Sequence, residues 1–280
     1  MRAALIQSLV GGDKERDVQN AAMRIAEAAA NGAKLVMLPE MFCCPYTNRC
    51  FAAYAEPAGG FVYTAMQKAA ADNGVVLVAG TFPERAGGKI YNTAFVFDET
   101  GAQLARHRKM HLFDIDVRGG QSFKESKTFT AGDEATVFDT SLGRFGVCVC
   151  FDMRFPELSR CMTLRGAQAI LAPAAFNMTT GPAHWELLFR QRAVDNQLFT
   201  LGCSPARDEQ GDYVAYGNSI VCSPWGTVIA RAGAKETILY ADFDLRDNES
   251  IRAQLPLLSA RRTDVYALSI PCKSEPAQTA

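Results

Sequence analysis

RFGVCVCFDMRFPE, residues 144–157, is an alternating apolar run that passes into a polar turn and then a helix-forming stretch opened by Pro156. Alternation of period two marks a strand, and proline at a first helical position marks the start of a helix. A strand that delivers a side chain to a tight turn before a helix exposes a nucleophile, with the next backbone N–H placed to receive an oxyanion. Cys150 stands at that junction. Period two puts Cys148 on the same face one pleat deeper, where packing is its expected role. Cys150 faces the cleft beyond the strand, where backbone N–H groups and a helix N-terminus are expected to favour its thiolate. Most buried cysteines are inert, so the spacing leaves a structural role open.

Moving outward, β-rich runs and helical stretches alternate along most of the chain. Strands are expected at 3–8, 33–38, 74–82, 91–98, 102–109, 136–140, 144–150, 167–173, 198–203, 218–223, 226–231 and 237–244. The stretch 17–32 carries Val18, Ala22, Ile25 and Ala29 at helical spacing and stops at Gly32, which suits a C-terminal cap. Further helices are expected near 60–73, 155–166, 182–196 and 246–254. About a dozen strands exceed what one twisted open sheet holds comfortably. The expected fold is therefore α/β, a four-layer αββα sandwich of two stacked sheets with helices on both outer faces. No repeat or linker divides the chain, so one domain over 1–280 is expected, with 269–280 a loose C-terminal tail.

Composition narrows the function. The chain has 280 residues, 48% apolar and 21% charged, with 29 Lys and Arg against 30 Asp and Glu for a net charge of −1. Its mean hydropathy is −0.04. Such a chain buries a large core, and it lacks the field that gathers phosphates or anionic lipid. Nucleic acid is not an expected partner. No apolar run approaches the ~20 residues of a membrane helix, so no membrane partner is expected either. Nine cysteines without a regular framework, and a start without a secretory leader, point to a reducing compartment. A cytoplasmic protein is expected, with a mitochondrial location left open. The sequons at Asn177 and Asn248 then read as chance matches.

A thiol nucleophile needs a base, and the three histidines stand at 107, 111 and 184. Other polar residues at strand ends are Glu40, just past KLVML and Pro39, and Lys109, closing QLARHRK. Each taken alone reads as a surface charge or salt bridge. With Cys150 they form a pattern. The segments LPEMF, RKMHLFDID and CFDMRFPE resemble, in order and separation, the three signature regions of the nitrilase superfamily of carbon-nitrogen hydrolases. Further similarity runs through YNTAFVFDETG (91–101), FKESKTFTAGD (123–133), AFNMTTGPAHWELLFRQRAVDNQ (175–197), SPARD (204–208) and SPWGTVIARAG (223–233). The resemblance covers roughly 1–268, and GPAHWELL and AVDNQ look like the omega-amidase branch.

The resemblance implies a Glu40, Lys109 and Cys150 triad. Glu40 would be the general base and ammonia's proton donor, with Lys109 and the Phe151 backbone N–H as oxyanion donors, each commonly worth ~3 kcal/mol in the barrier. Glu125, in FKES, matches a second glutamate that orients the lysine or the substrate amide. Hydrolysis of the terminal amide of 2-oxoglutaramate or 2-oxosuccinamate through a thioester is implied, by a homodimer acting on small molecules. On spacing alone Arg154 equally caps the helix region, pairs with Asp152, or binds a substrate carboxylate; the branch resemblance points to the last. Phe176, Thr180 and Tyr46 match pocket positions and could equally be packing. FCCPYTNRC departs from the polar pair usual before PY, which leaves that pocket wall undefined. No metal, nucleotide or flavin cofactor is expected, since GxGxxG, GxxxxGK[ST] and CxxC are all missing.

Rival readings are a metal hydrolase built on His107 and His111, a non-catalytic module that kept the fold, an amidase of deaminated glutathione, and a true nitrilase. HRKMH reads as a strand leaving into a loop and lacks the glutamate of HExxH.

Overall fold

The computed structural model describes residues 1–268. The expected loose tail at 269–280, with Cys272, lies outside the described residues. Chain order runs β1 (Arg2–Gln7), α1 (Lys14–Ala30), β2 (Leu35–Met37), α2 (Asn48–Tyr54), α3 (Phe61–Asn73), β3 (Val76–Val78), β4 (Phe82–Ala86), β5 (Lys89–Phe97), β6 (Gln103–Arg108), β7 (Asp114–Asp116) and β8 (Ser122–Lys124). It continues through β9 (Thr136–Thr140), β10 (Gly143–Val147), α4 (Pro156–Leu164), β11 (Ala169–Pro173), α5 (Gly181–Asn196), β12 (Phe199–Cys203), β13 (Ile220–Cys222), β14 (Val228–Arg231), β15 (Thr237–Asp242) and α6 (Asp247–Gln254).

Two mixed sheets result. One is ordered β15, β1, β2, β3, β5, β4, with β6 also paired to β5; the other is ordered β14, β13, β12, β11, β10, β9. In each, three parallel strands form the centre: β1, β2 and β3 in the first, β10, β11 and β12 in the second. Alternation decides which side chains go where. Leu5, Leu35, Met37 and Val76 from the first sheet join Phe145, Val147, Leu171 and Leu201 of the second in one core. The opposite face of the first sheet, with Ala4, Ile6, Val36 and Leu77, packs on Val18, Ile25, Val62 and Met66 of α1 and α3. On the outer face of the second sheet, Gly146 and Gly202 leave room for Met162 of α4 and Phe189 of α5. The four-layer αββα order is the expected one.

Differences are local. Helix α1 begins at Lys14 rather than 17, because Asp13 caps it by accepting from the Arg16 N–H at 3.1 Å. The run 74–82 is not one strand. It stops at Val78, and Gly80 turns the chain with φ +54 so that β4 returns against β5. A Cβ at Gly80 would lie 2.2 Å from the Pro39 carbonyl oxygen. That close approach seats the residue preceding Glu40. Gly80→Ala is therefore expected to cost about 2–4 kcal/mol, from the left-handed backbone and the clash together. Urea unfolding measures the loss, and kcat should fall with it because Glu40 moves.

Candidate active site

The site forms where strand ends from both sheets meet. Glu40 follows β2, Lys109 follows β6, and Cys150 follows β10 in a five-residue 3-10 turn, Cys150–Arg154. Lys109 is fixed through its backbone: its N–H donates to the Asn92 carbonyl at 2.8 Å, and its own carbonyl accepts from the Gly132 N–H at 2.8 Å. Glu125 opens a short 3-10 turn just after β8. The side chains of Glu40, Lys109 and Glu125 are fully buried.

Lys109 Nζ lies 2.9 Å from Glu40 Oε1 and 2.9 Å from Glu125 Oε2, so one ammonium is shared by two carboxylates. Two further side chains hold this pair. Tyr46 donates its hydroxyl to Glu125 Oε1 at 2.7 Å, and Asn92 donates Nδ2 to Glu40 Oε1 at 2.8 Å. The Phe113 N–H completes Glu125 at 2.6 Å. Tyr46 thus belongs to the charged cluster itself, stacked on Tyr213 with ring centroids 4.5 Å apart.

Burial sets the protonation. It works against the charge on Lys109, but the fields of Glu125 and Glu40 more than offset it, and the lysine is held protonated well beyond its ordinary range. Burial pushes Glu40 up, opposed by Lys109 and reinforced by Glu125. The Cys150 thiol is also pushed well up, by burial first and by Glu40 second, with Lys109 opposing. This corrects the expectation of a resting thiolate. Helix α4 begins only at Pro156, and a helix end acts within about one turn, too short a reach to offset burial. Burial favours the thiol form of Cys150 beside Glu40.

Strand β10 ends at Val147, and Cys150 adopts φ +47, so strand alternation does not carry through to it. Cys148 is buried packing, as expected. A left-handed non-glycine residue costs on the order of 1–2 kcal/mol and persists where its surroundings enforce it.

The sequence profile of carbon-nitrogen hydrolases matches residues 2–253. The chain belongs to the carbon-nitrogen hydrolase family. Omega-amidase NIT2 of Homo sapiens is 47% identical over 269 residues, covering 96% of this chain and 98% of that one. The crystal structure of Saccharomyces cerevisiae Nit3, a member of branch 10 of the nitrilase superfamily, superimposes with a TM-score of 0.86 at 41% identity, over 94% of this chain and 96% of that one. An amidase from Nesterenkonia, in a glutamate-to-glutamine variant whose active-site cysteine carries acrylamide by Michael addition, has a TM-score of 0.73 at 26% identity, over 91% of this chain and 98% of that one.

In this carbon-nitrogen hydrolase the cysteine turn is anchored by Asp152, a residue the sequence reading passed over as a catalytic support. Its buried carboxylate accepts from the Val149 N–H at 2.9 Å, His107 Nε2 at 3.1 Å, His111 Nδ1 at 2.7 Å and the His111 N–H at 2.9 Å. The two histidines considered as metal ligands therefore hold the Cys150 turn through Asp152. The Arg154–Asp152 pair is likewise not formed, because these four donors occupy the carboxylate. The signal was present in sequence as FD immediately after Cys150, but only the fold brings residues 107 and 111 to it.

Arg154 stacks its guanidinium over the Phe176 ring at 4.7 Å and lies 3.1 Å from His184 Nδ1 through Nη1. Its Nε is buried with no hydrogen-bond partner, and no carboxylate pairs with it among the described residues. Cys150, Phe151, Arg154, Phe176 and Thr180 together line one small cavity of about 10 Å³. On the other side, Glu40, Tyr46 and Tyr213 line a cavity of about 110 Å³ that reaches the 205–215 loop. Cys43 and Cys44 are buried, their thiols pushed up by burial, and serve as packing.

Burial works against ionised Asp152, yet its bonds to His107 and His111 win, so its pKa lies below the ordinary carboxylate range. The stabilisation is then fully present above the unfolded value near ~3.9 and is lost as pH falls through the lower folded value. Asp152→Ala is expected to cost about 3–5 kcal/mol at pH 7, by leaving buried donors unpaired. Urea melts at pH 7 and at progressively lower pH check it, the gap between wild type and variant closing in acid.

Proposed function

We propose that the enzyme is an omega-amidase that hydrolyses the terminal amide of short dicarboxylic acid monoamides such as 2-oxoglutaramate and 2-oxosuccinamate. The observation that carries the reading is Arg154, a partly buried cation without a carboxylate partner among the described residues, in the same cavity wall as Cys150. A guanidinium there matches a substrate carboxylate, and the amide at the other end then reaches the sulfur. The likeness to the human omega-amidase supports it.

Glu40 takes the Cys150 proton as the sulfur attacks the amide carbon. The oxyanion forms against the charge of Lys109 and the Phe151 backbone N–H, the next donor in the turn. As the tetrahedral species collapses, Glu40 returns the proton to nitrogen and ammonia leaves a thioester. Glu40 then deprotonates water, which releases the acid and restores the thiol. Glu125 holds Lys109 against the pull of Glu40, keeping the ammonium between the two carboxylates. Phe176 supports the Arg154 guanidinium, Thr180 lines the acid end, and Tyr46 ties Glu125 to Glu40.

Steady-state kcat/KM should be higher on 2-oxoglutaramate than on deaminated glutathione or a simple nitrile. Cys150→Ala should lower kcat by at least about 10³-fold, with a thioester mass adduct on Cys150 in trapped wild type. Preference for either competing substrate overturns the assignment.

One domain over the whole chain and assembly into a homodimer complete the proposal. Leu187 on α5 and Trp225 between β13 and β14 are 61% and 62% exposed, an apolar surface that a second copy would cover. Light scattering at micromolar concentration should read twice the 30.4 kDa chain mass.

A further inference from the structure

We infer that His184 is a positioning residue for substrate recognition, holding Arg154 so that the Nε and Nη2 edge of its guanidinium is presented to the substrate carboxylate. The inference rests on the amidase reading above and adds to it a residue outside the triad. Arginine has donors only, so the 3.1 Å contact between Arg154 Nη1 and His184 Nδ1 requires the imidazole nitrogen to accept. The tautomer is thereby set, with the imidazole proton on Nε2. His184 sits in the first turn of α5, directly before the buried Trp185, whose Nε1–H donates to the Asn218 carbonyl at 2.6 Å. That bond fixes the helix start, and with it the place of the imidazole.

Arg154 is otherwise held by faces, not by hydrogen bonds. Phe176 lies at 4.7 Å and Phe151 at 5.6 Å from its Cζ, which restrains tilt but leaves rotation in the plane free. The His184 bond at Nη1 is the contact that stops this rotation. With Nη1 engaged, the remaining parallel pair of donors is Nε and Nη2, and Nε is buried without a partner among the described residues. A carboxylate accepting from both satisfies it in a bidentate pair. A neutral imidazole suits this task better than a carboxylate, which would neutralise the arginine and compete with the substrate.

The test compares glutaric acid monoamide with pentanamide, which has the same chain length and no carboxylate. In His184→Ala, KM for the monoamide should rise about tenfold with kcat within about twofold, whereas kcat/KM for pentanamide stays at the wild-type value. His184→Asn, whose side-chain oxygen can accept near the same place, should recover most of the loss. In an Arg154→Ala background, His184→Ala should add nothing. An unchanged KM in His184→Ala, an equal loss on pentanamide, or additive losses in the double variant would each overturn the inference. Failure of the broader reading looks different: wild type would then show no preference for the acid over pentanamide.

Discussion

Lys109 is an ammonium with no access to water, and the arrangement of the site follows from keeping it charged. Burying a lone ion costs several kcal/mol, so the lysine must be surrounded by opposite charge in good geometry. Glu40 and Glu125 supply that at 2.9 Å each. Two carboxylates so close repel one another, and Tyr46 and Asn92 donate into the gap. The consequence for chemistry is that Glu40 is not a fully satisfied ion-pair partner. Its Oε2 has no hydrogen-bond partner among the described residues, and burial raises its proton affinity. The same burial raises the Cys150 thiol, so it affects proton transfer between them only through their difference.

The two sheets contribute unequal parts by similar means. Each has a parallel trio whose central strand lies between two neighbours, and in each a left-handed non-glycine residue follows the strand end at the site. Met41 has φ +53 beside Glu40, and Cys150 has φ +47. Neither conformation is favoured locally, and both are enforced by outside groups. Thr81 accepts the Met41 N–H at 2.9 Å, while Asp152 gathers the turn after Val149. The histidines behind Asp152 link strand β6, which leads to Lys109, with the turn that carries Cys150. The positions of Lys109 and Cys150 are therefore coupled through the buried Asp152 carboxylate.

Charge is also divided across the sulfur. Glu40, Tyr46 and Tyr213 wall one side, and Arg154 with Phe176 and Thr180 walls the other.

Sequence by itself determined the class of fold, because period-two and helical spacing report which side chains must be buried, and it marked Glu40, Lys109 and Cys150 in three signature segments and Glu125 in a further matching one. It could not separate Val76–Val78 from Phe82–Ala86, since the apolar run is continuous and only Gly80's left-handed turn against the Pro39 carbonyl divides it. Nor could it weigh burial against a helix end at Cys150, or see that His107 and His111 serve Asp152. Those outcomes depend on distance and dielectric between residues far apart in the chain. Local pattern carries information about faces; charge states and hydrogen-bond partners belong to the space that packing encloses.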